Sequence, residues 1–178
     1  MRAEYINPFI DAAMNVIKTM ANIDVVAGKP GLKTDNRSFG DVTGVIGLAG
    51  FGISGNLVVS FEASCILKVV NAMLGCEMTE LSDDVVDAVG EITNMICGNT
   101  KRDLNKLGIS IQMATPMILR GQSIEISQLS QAPVITIPFT TEAGKFCIDT
   151  NLYSEEDEKK KSSNKNATSS SSNAVKGS

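Results

Sequence analysis

A chain of 178 residues suits one domain, and 43% hydrophobic against 20% charged residues supports a sizeable core. The net charge of −4 lacks the basic footprint of a nucleic-acid binder. Histidine and tryptophan are both absent, so Ser-His-Asp and Cys-His nucleophilic sites and histidine-ligated zinc or haem are excluded.

At the N-terminus, Glu4, Asn7 and Asp11 interrupt any secretory apolar run. No apolar stretch approaches the ~18 residues of a membrane span, so no membrane insertion is expected. The first helix is predicted from Asn7, read as its N-cap, with Pro8 at the first helical position. Phe9, Ile10, Ala13, Met14, Ile17 and Met20 then keep helical spacing to about Ala21.

Strands are predicted at Val42–Ala49 and Ile53–Phe61. Between them, Gly50-Phe51-Gly52-Ile53-Ser54-Gly55 matches the G-x-G-x-x-G pattern of dinucleotide-binding loops. Such a loop must open a helix whose N-terminus meets the pyrophosphate. Asn56-Leu57-Val58-Val59-Ser60-Phe61 reads as a strand instead, so the glycines are assigned to a hairpin turn. A second helix is predicted near Glu62–Leu74, ended by Gly75.

The third helix is the longest, from a Ser82 cap to about Leu107, with Gly108 ending it. Asp83 and Asp84 in its first turn, and Lys101, Arg102 and Lys106 towards its end, suit the helix dipole. At 100° per residue, Val85, Val89, Ile92, Ile96 and Leu107 gather as a core face, flanked by Val86 and Leu104. Asp87, Glu91, Asn94, Gly98 and Asn105 gather opposite. Glu91 and Asn94 are surface neighbours. Gly90 and Gly98 each cost about 1 kcal/mol against alanine, either for helix packing or for access to this face.

Further strands are predicted at Ile109–Thr115, Met117–Leu119, Ile124–Leu129, Val134–Thr141 and Lys145–Asn151. Glu142-Ala143-Gly144 is read as a hairpin turn, and Pro133 and Pro138 predict edge positions or irregular pairing. Residues 154–178 hold eight serines, five lysines and four acidic residues. This stretch is predicted to be a disordered tail after a domain over 1–153. Its charge of +1 leaves −5 on the domain. Cys65, Cys76, Cys97 and Cys147 form no C-x-x-C pair, so buried, reduced thiols of a cytoplasmic protein are expected.

Phe9-Ile10-Asp11-Ala12-Ala13 and Val85-Val86-Asp87-Ala88-Val89 share a pattern at an offset of 76. Each opens a helix, and a hairpin follows each helix. The expected fold is α/β (α+β), from a pseudo-duplicated helix-plus-hairpin unit, with three main helices and a largely antiparallel sheet.

The string Glu91-Ile92-Thr93-Asn94-Met95-Ile96-Cys97-Gly98-Asn99, with Asp87-Ala88-Val89-Gly90 before it and Ala114-Thr115-Pro116 … Gly121 after it, resembles the signature region of the CheC/CheX/FliY family of bacterial chemotaxis phosphatases. The resemblance covers most of residues 1–153 and implies a CheC-like fold. The implied activity is dephosphorylation of the phospho-aspartate of CheY-like response regulators. The alternative is a receiver-binding or flagellar-switch-like module without catalysis. By the resemblance, Asn94 would enter the regulator's active site as the catalytic residue. Glu91 would dock near the regulator's conserved lysine, and Asp87 and Gly98 would touch the partner. No cofactor of its own is implied, since the receiver supplies Mg²⁺. At the offset of 76, Asn15 and Lys18 stand where Glu91 and Asn94 do, and lysine has no acceptor to hold a water. Glu4-x-x-Asn7 is absorbed by the predicted cap. A single such helix resembles the CheX branch, which implies a homodimer joined through sheet edges.

Overall fold

The computed structural model describes residues 3–127 and 132–154. Its first helix, α1 (Asn7–Ala21), follows a short 3-10 turn at Ala3–Tyr5. Ile6 is already helical, at φ −81 and ψ −39, and makes no side-chain cap bond. Asn7 therefore lies inside the helix and is not its cap. The turn upstream winds the chain into the helix before Asn7 is reached.

Two strands of two residues follow, β1 (Val26–Ala27) and β2 (Gly31–Leu32), which sequence reasoning missed. The hairpin β3 (Val42–Gly50) and β4 (Ile53–Phe61) closes over Phe51-Gly52, with Gly52 at φ +68. The segment after the G-x-G-x-x-G match is a strand, so no helix N-terminus is available to a pyrophosphate. Helix α2 (Ala63–Leu74) stops at Gly75. Its first amide is capped from a distance: Ala63 N–H donates to Asp41 Oδ2 at 2.8 Å.

Helix α3 spans Asp83–Lys106. Ser82 is extended as an N-cap should be, but its side chain makes no cap bond and its Oγ instead faces Met78 Sδ at 3.9 Å. At the far end Ile109 N–H reaches Leu104 O and Gly108 N–H reaches Asn105 O, a Schellman closure with Gly108 at φ +81. The helix thus ends one residue before Leu107. That residue is 47% exposed and does not belong to the core face as predicted.

The strands β5 (Gln112–Met113), β6 (Met117–Arg120), β7 (Ile135–Thr141) and β8 (Gly144–Ser154) complete the sheet. The strand expected over Ile109–Thr115 shrinks to the two residues of β5. The strand expected over Ile124–Leu129 is not found among the described residues. Ile124 and Ile126 are half-buried between exposed neighbours, so the alternation is real. Their backbones pair with a loop, however: Ser38 N–H donates to Ile124 O and Ile126 N–H to Asn36 O. Leu129 lies outside the described residues, as do residues 155–178 of the expected tail.

Among the described residues the sheet has eight strands, all pairing antiparallel, in the order β1-β7-β8-β4-β3-β5, with β2 also on β7 and β6 also on β3. The duplication is visible in this order. Helix α1 leads to the hairpin β3–β4 and α3 to the hairpin β7–β8, and β4 pairs with β8 at the centre. Each half also lends its short strands to the other: β1 and β2 edge β7, while β5 and β6 edge β3. Pro138 falls where β1 has ended and β2 has not begun, so its missing N–H breaks no ladder bond there. Its carbonyl accepts Gly28 N–H at 2.7 Å.

Alternate residues of each strand face the helices. Ile46, Leu57, Val59, Ile137 and Ile148 are fully buried on that side, against Phe9, Ile17, Ile66, Val85, Ile92 and Ile96 of the helices. Phe61, Phe146 and Phe139 stand in one row across β4, β8 and β7. Their ring centroids are 5.2 and 4.6 Å apart, which adds stacking to burial. The opposite face carries Thr43, Asn56, Val58, Ser60, Cys147 and Asp149, also buried. There Lys33 crosses onto Asp149, its Nζ 2.8 Å from Oδ2.

Candidate functional site

Helix α3 is held on two sides. Along one it packs against α1 and α2, and Thr100 Oγ1 donates to Pro8 O at 3.4 Å. Along the other it lies on β3 and β6. Val85, Ala88, Val89, Ile92, Thr93, Ile96, Cys97, Thr100 and Leu104 are buried, a wider core face than the predicted stripe because other helices and the sheet both pack on it. Asp83 forms an ion pair with Arg120 at the end of β6, a residue sequence reasoning did not single out. Both are exposed, so the pair orients the start of the helix more than it stabilises it.

The remaining side of α3 is open. Asp87 and Glu91 are exposed, and Asn94 and Gly98 are half-buried. Their spacings of four, three and four residues set them on successive turns of one stripe. Among the described residues, neither Glu91 nor Asn94 has a hydrogen bond or ion pair with another side chain. A carboxylate and an amide are thus displayed together, with their donor and acceptor capacity unspent.

The two glycines of the helix differ. A Cβ built on Gly90 meets Ile118 Cδ1 and Cγ1 at 3.7 Å, ordinary contact; one built on Gly98 meets nothing within 4 Å. Packing among the described residues therefore does not explain Gly98. Gly98→Ala is expected to raise unfolding stability by about 1 kcal/mol, the helix propensity gained. A urea titration checks this.

The thiols fit no part in chemistry at this face. All four cysteines are free, and three are buried; Cys76 is only half-buried and donates to Asn71 Oδ1. Burial pushes the Cys65 and Cys97 thiols up to about 11, and raises Cys147 further with the help of the nearby Asp149 charge. These three are protonated at neutral pH and poor nucleophiles. Among the described residues, no cluster of three or more Cys, Asp or Glu could hold a metal, and no helix is long and apolar enough to cross a membrane. The counterpart positions on α1, Asn15 and Lys18, are exposed, with Lys18 Nζ 2.7 Å from Asp24.

A family model described as chemotaxis phosphatase CheX matches residues 42–140, from β3 to β7 and including all of α3. The CheY-P phosphatase CheX of Thermotoga maritima is 29% identical over 158 residues, which is 88% of this chain and 93% of that protein. A CheC-like superfamily protein of Shewanella sp. PV-4 superposes with a TM-score of 0.80 at 40% identity, covering 85% of this chain and 99% of its own. CheX of Borrelia burgdorferi, solved in complex with CheY, BeF3 and Mg²⁺, shares the fold at 24% identity and a TM-score of 0.72, over 85% of this chain and 99% of that one. With its open acidic stripe on a sheet-backed helix and these similarities along most of its length, the chain belongs to the CheX family of chemotaxis phosphatases.

Proposed function

We propose that the chain dephosphorylates the phospho-aspartate of a CheY-like receiver domain, with Asn94 as the catalytic residue and Glu91 as the docking residue. One observation carries this reading: in a CheX-family chain, Glu91 and Asn94 stand together on the side of α3 turned away from its buried face. The Thermotoga relative is a CheY-P phosphatase, and the Borrelia relative binds CheY with Mg²⁺ present.

An acyl phosphate is already activated. In a receiver, Mg²⁺ and a lysine neutralise the phosphoryl charge. What remains is to hold one water in line with the phosphorus–oxygen bond. An amide offers an acceptor for a water proton and a donor for a phosphoryl oxygen, with no change of protonation. Asn94 supplies that amide, so the absence of histidine from the chain is no handicap. Glu91, one turn earlier, supplies a charge for a receiver lysine and sets the register of the two surfaces. Asp87 extends the acidic stripe, and Gly98 lets the receiver approach the helix backbone beyond Asn94. Gly98→Ala, though stabilising, would then weaken receiver binding.

The test is release of phosphate from a phosphorylated receiver, alongside a binding measurement. Glu91→Lys is expected to weaken binding at least tenfold, since it replaces an attraction with a repulsion, while hydrolysis at saturating enzyme is largely kept. Unchanged affinity would remove Glu91 from the interface. Saturable binding by the wild type with no change in phosphate lifetime would make the chain a receiver-binding module instead. We also place the protein in the cytoplasm, where receivers work, as a homodimer. The outer edge of β6, which among the described residues pairs only with β3 and displays Met117, supports a sheet-edge contact.

A further inference from the structure

Beside the stripe that bears Glu91 and Asn94, helix α3 is seated on the sheet at two points, and the two are not equivalent. Gly44 of β3 lies opposite Ile118 of β6 in the ladder. Gly90 and Thr93, three residues apart and so neighbours on one side of the helix, rest on this pair. Gly90 meets Ile118 with room to spare, since a Cβ there would sit 3.7 Å from it. Thr93 meets Gly44 with none. A Cβ on Gly44 would stand 2.2 Å from Thr93 Oγ1 and 3.0 Å from both Thr93 Cβ and Cγ2. Thr93 cannot swing away easily. It is fully buried, and its hydroxyl donates to Val89 O at 2.7 Å.

From this close approach we infer that Gly44 is a positioning residue for the reaction: it sets how far α3 stands off the sheet, and so how far Asn94 reaches into the receiver. Thr93 is the residue next to Asn94 in the chain, and Gly90 and Thr93 bracket Glu91. A strand glycine gives up packing and conformational entropy, and close approach of another element is what it gains. The inference rests on the receiver-phosphatase reading. The two functional side chains should respond differently to a displaced helix. A charge pair weakens slowly with distance, whereas a misplacement of ~1 Å in a reacting geometry can cost about a hundredfold in rate. Displacing α3 should therefore lower kcat far more than it raises KM.

The experiment compares wild type, Gly44→Ala, Thr93→Ala and the double variant. It measures kcat and KM for receiver dephosphorylation, and backbone amide shifts of residues 90–98 by NMR in the chain without receiver. Gly44→Ala is expected to lower kcat ten- to a hundredfold with KM changed less than threefold, and to shift the 90–98 amides. Thr93→Ala alone is expected to stay within about threefold of wild type. In the double variant the nearest approach becomes 3.0 Å between two Cβ atoms. Most of the kcat and of the amide shifts should return. If Gly44→Ala does not fold, the residual deficit carries the test: the double variant should still be severalfold slower than Thr93→Ala at equal KM, and equal kcat overturns the inference. It is also overturned if folded Gly44→Ala has wild-type kcat, or if the double variant regains stability and amide shifts without regaining kcat. A wild type that does not hydrolyse the receiver refutes the phosphatase reading instead. The amide shifts then decide the seat alone: undisturbed 90–98 amides in Gly44→Ala overturn it.

Discussion

Asn94→Ala is expected to slow receiver dephosphorylation by about 10²–10³-fold, the loss found when one preorganised polar contact to a transition state is removed, on the order of 3–4 kcal/mol. The variant should fold as the wild type does. Asn94 is half-buried and has no hydrogen bond to another described side chain, so its truncation leaves no partner stranded and stability should stay within about 0.5 kcal/mol. Receiver affinity should change little, because Glu91 remains. Asn94→Asp sharpens the test. It keeps the shape, yet an ionised carboxylate only accepts hydrogen bonds, and it would bring a negative charge to a negative phosphoryl group. It should be at least as slow as alanine. Full hydrolysis by either variant would take the catalytic role away from Asn94.

The stripe that carries this prediction was legible because one helix of 24 residues gives periodicity many turns in which to act. The open side, Asp87, Glu91, Asn94, Gly98 and Asn105, follows from 100° steps. The core side is wider than periodicity alone shows, because the sequence does not say that α1, α2 and the sheet all pack on the helix. Leu107 departs from the predicted core face for a local reason: the Schellman closure at Gly108 releases the chain one residue early. The hairpins were legible where strands were long. Strands β1, β2 and β5 have two residues each, too few for alternation to register. The Ile124–Ile126 alternation shows the converse failure, since half-burial alternates in any extended segment that lies on the body, whatever its backbone pairs with. Gly44 is the position whose part is least legible in the sequence. Its signal is weak, since it is one of three glycines in a strand otherwise made of β-branched and apolar residues. Its reason is not legible at all, because Thr93 meets it from another element, 49 positions along the chain.

Lys33→Met is expected to destabilise the fold by about 3–5 kcal/mol, the cost of breaking a buried ion pair from one side. Asp149 is 3% exposed and Lys33 13%, with Nζ 2.8 Å from Oδ2 and 3.6 Å from Asp35 Oδ1. The second carboxylate oxygen, Oδ1, is buried with no hydrogen-bond partner among the described residues, so Asp149 depends on this lysine for its compensation. The cost would come from the stranded carboxylate more than from any strength of the pair. Lys33→Met/Asp149→Leu should therefore recover most of the loss, since apolar groups of similar size replace a buried pair at little cost. If the double variant is as unstable as the single one, the stranded charge is not the cause. The pair also predicts a pH limb. Burial pulls the Lys33 value down, but the hydrogen bond and charge of Asp149 outweigh it, with help from Cys147 and Asp35, and leave it above its ordinary 10.5. The stability linked to that shift is fully present below the ordinary lysine value and is lost as pH rises through the raised one. Denaturation midpoints followed into alkaline solution should show this limb in the wild type and lack it in the double variant. Because Lys33 lies on the face of the sheet away from α3, hydrolysis per folded molecule should be untouched.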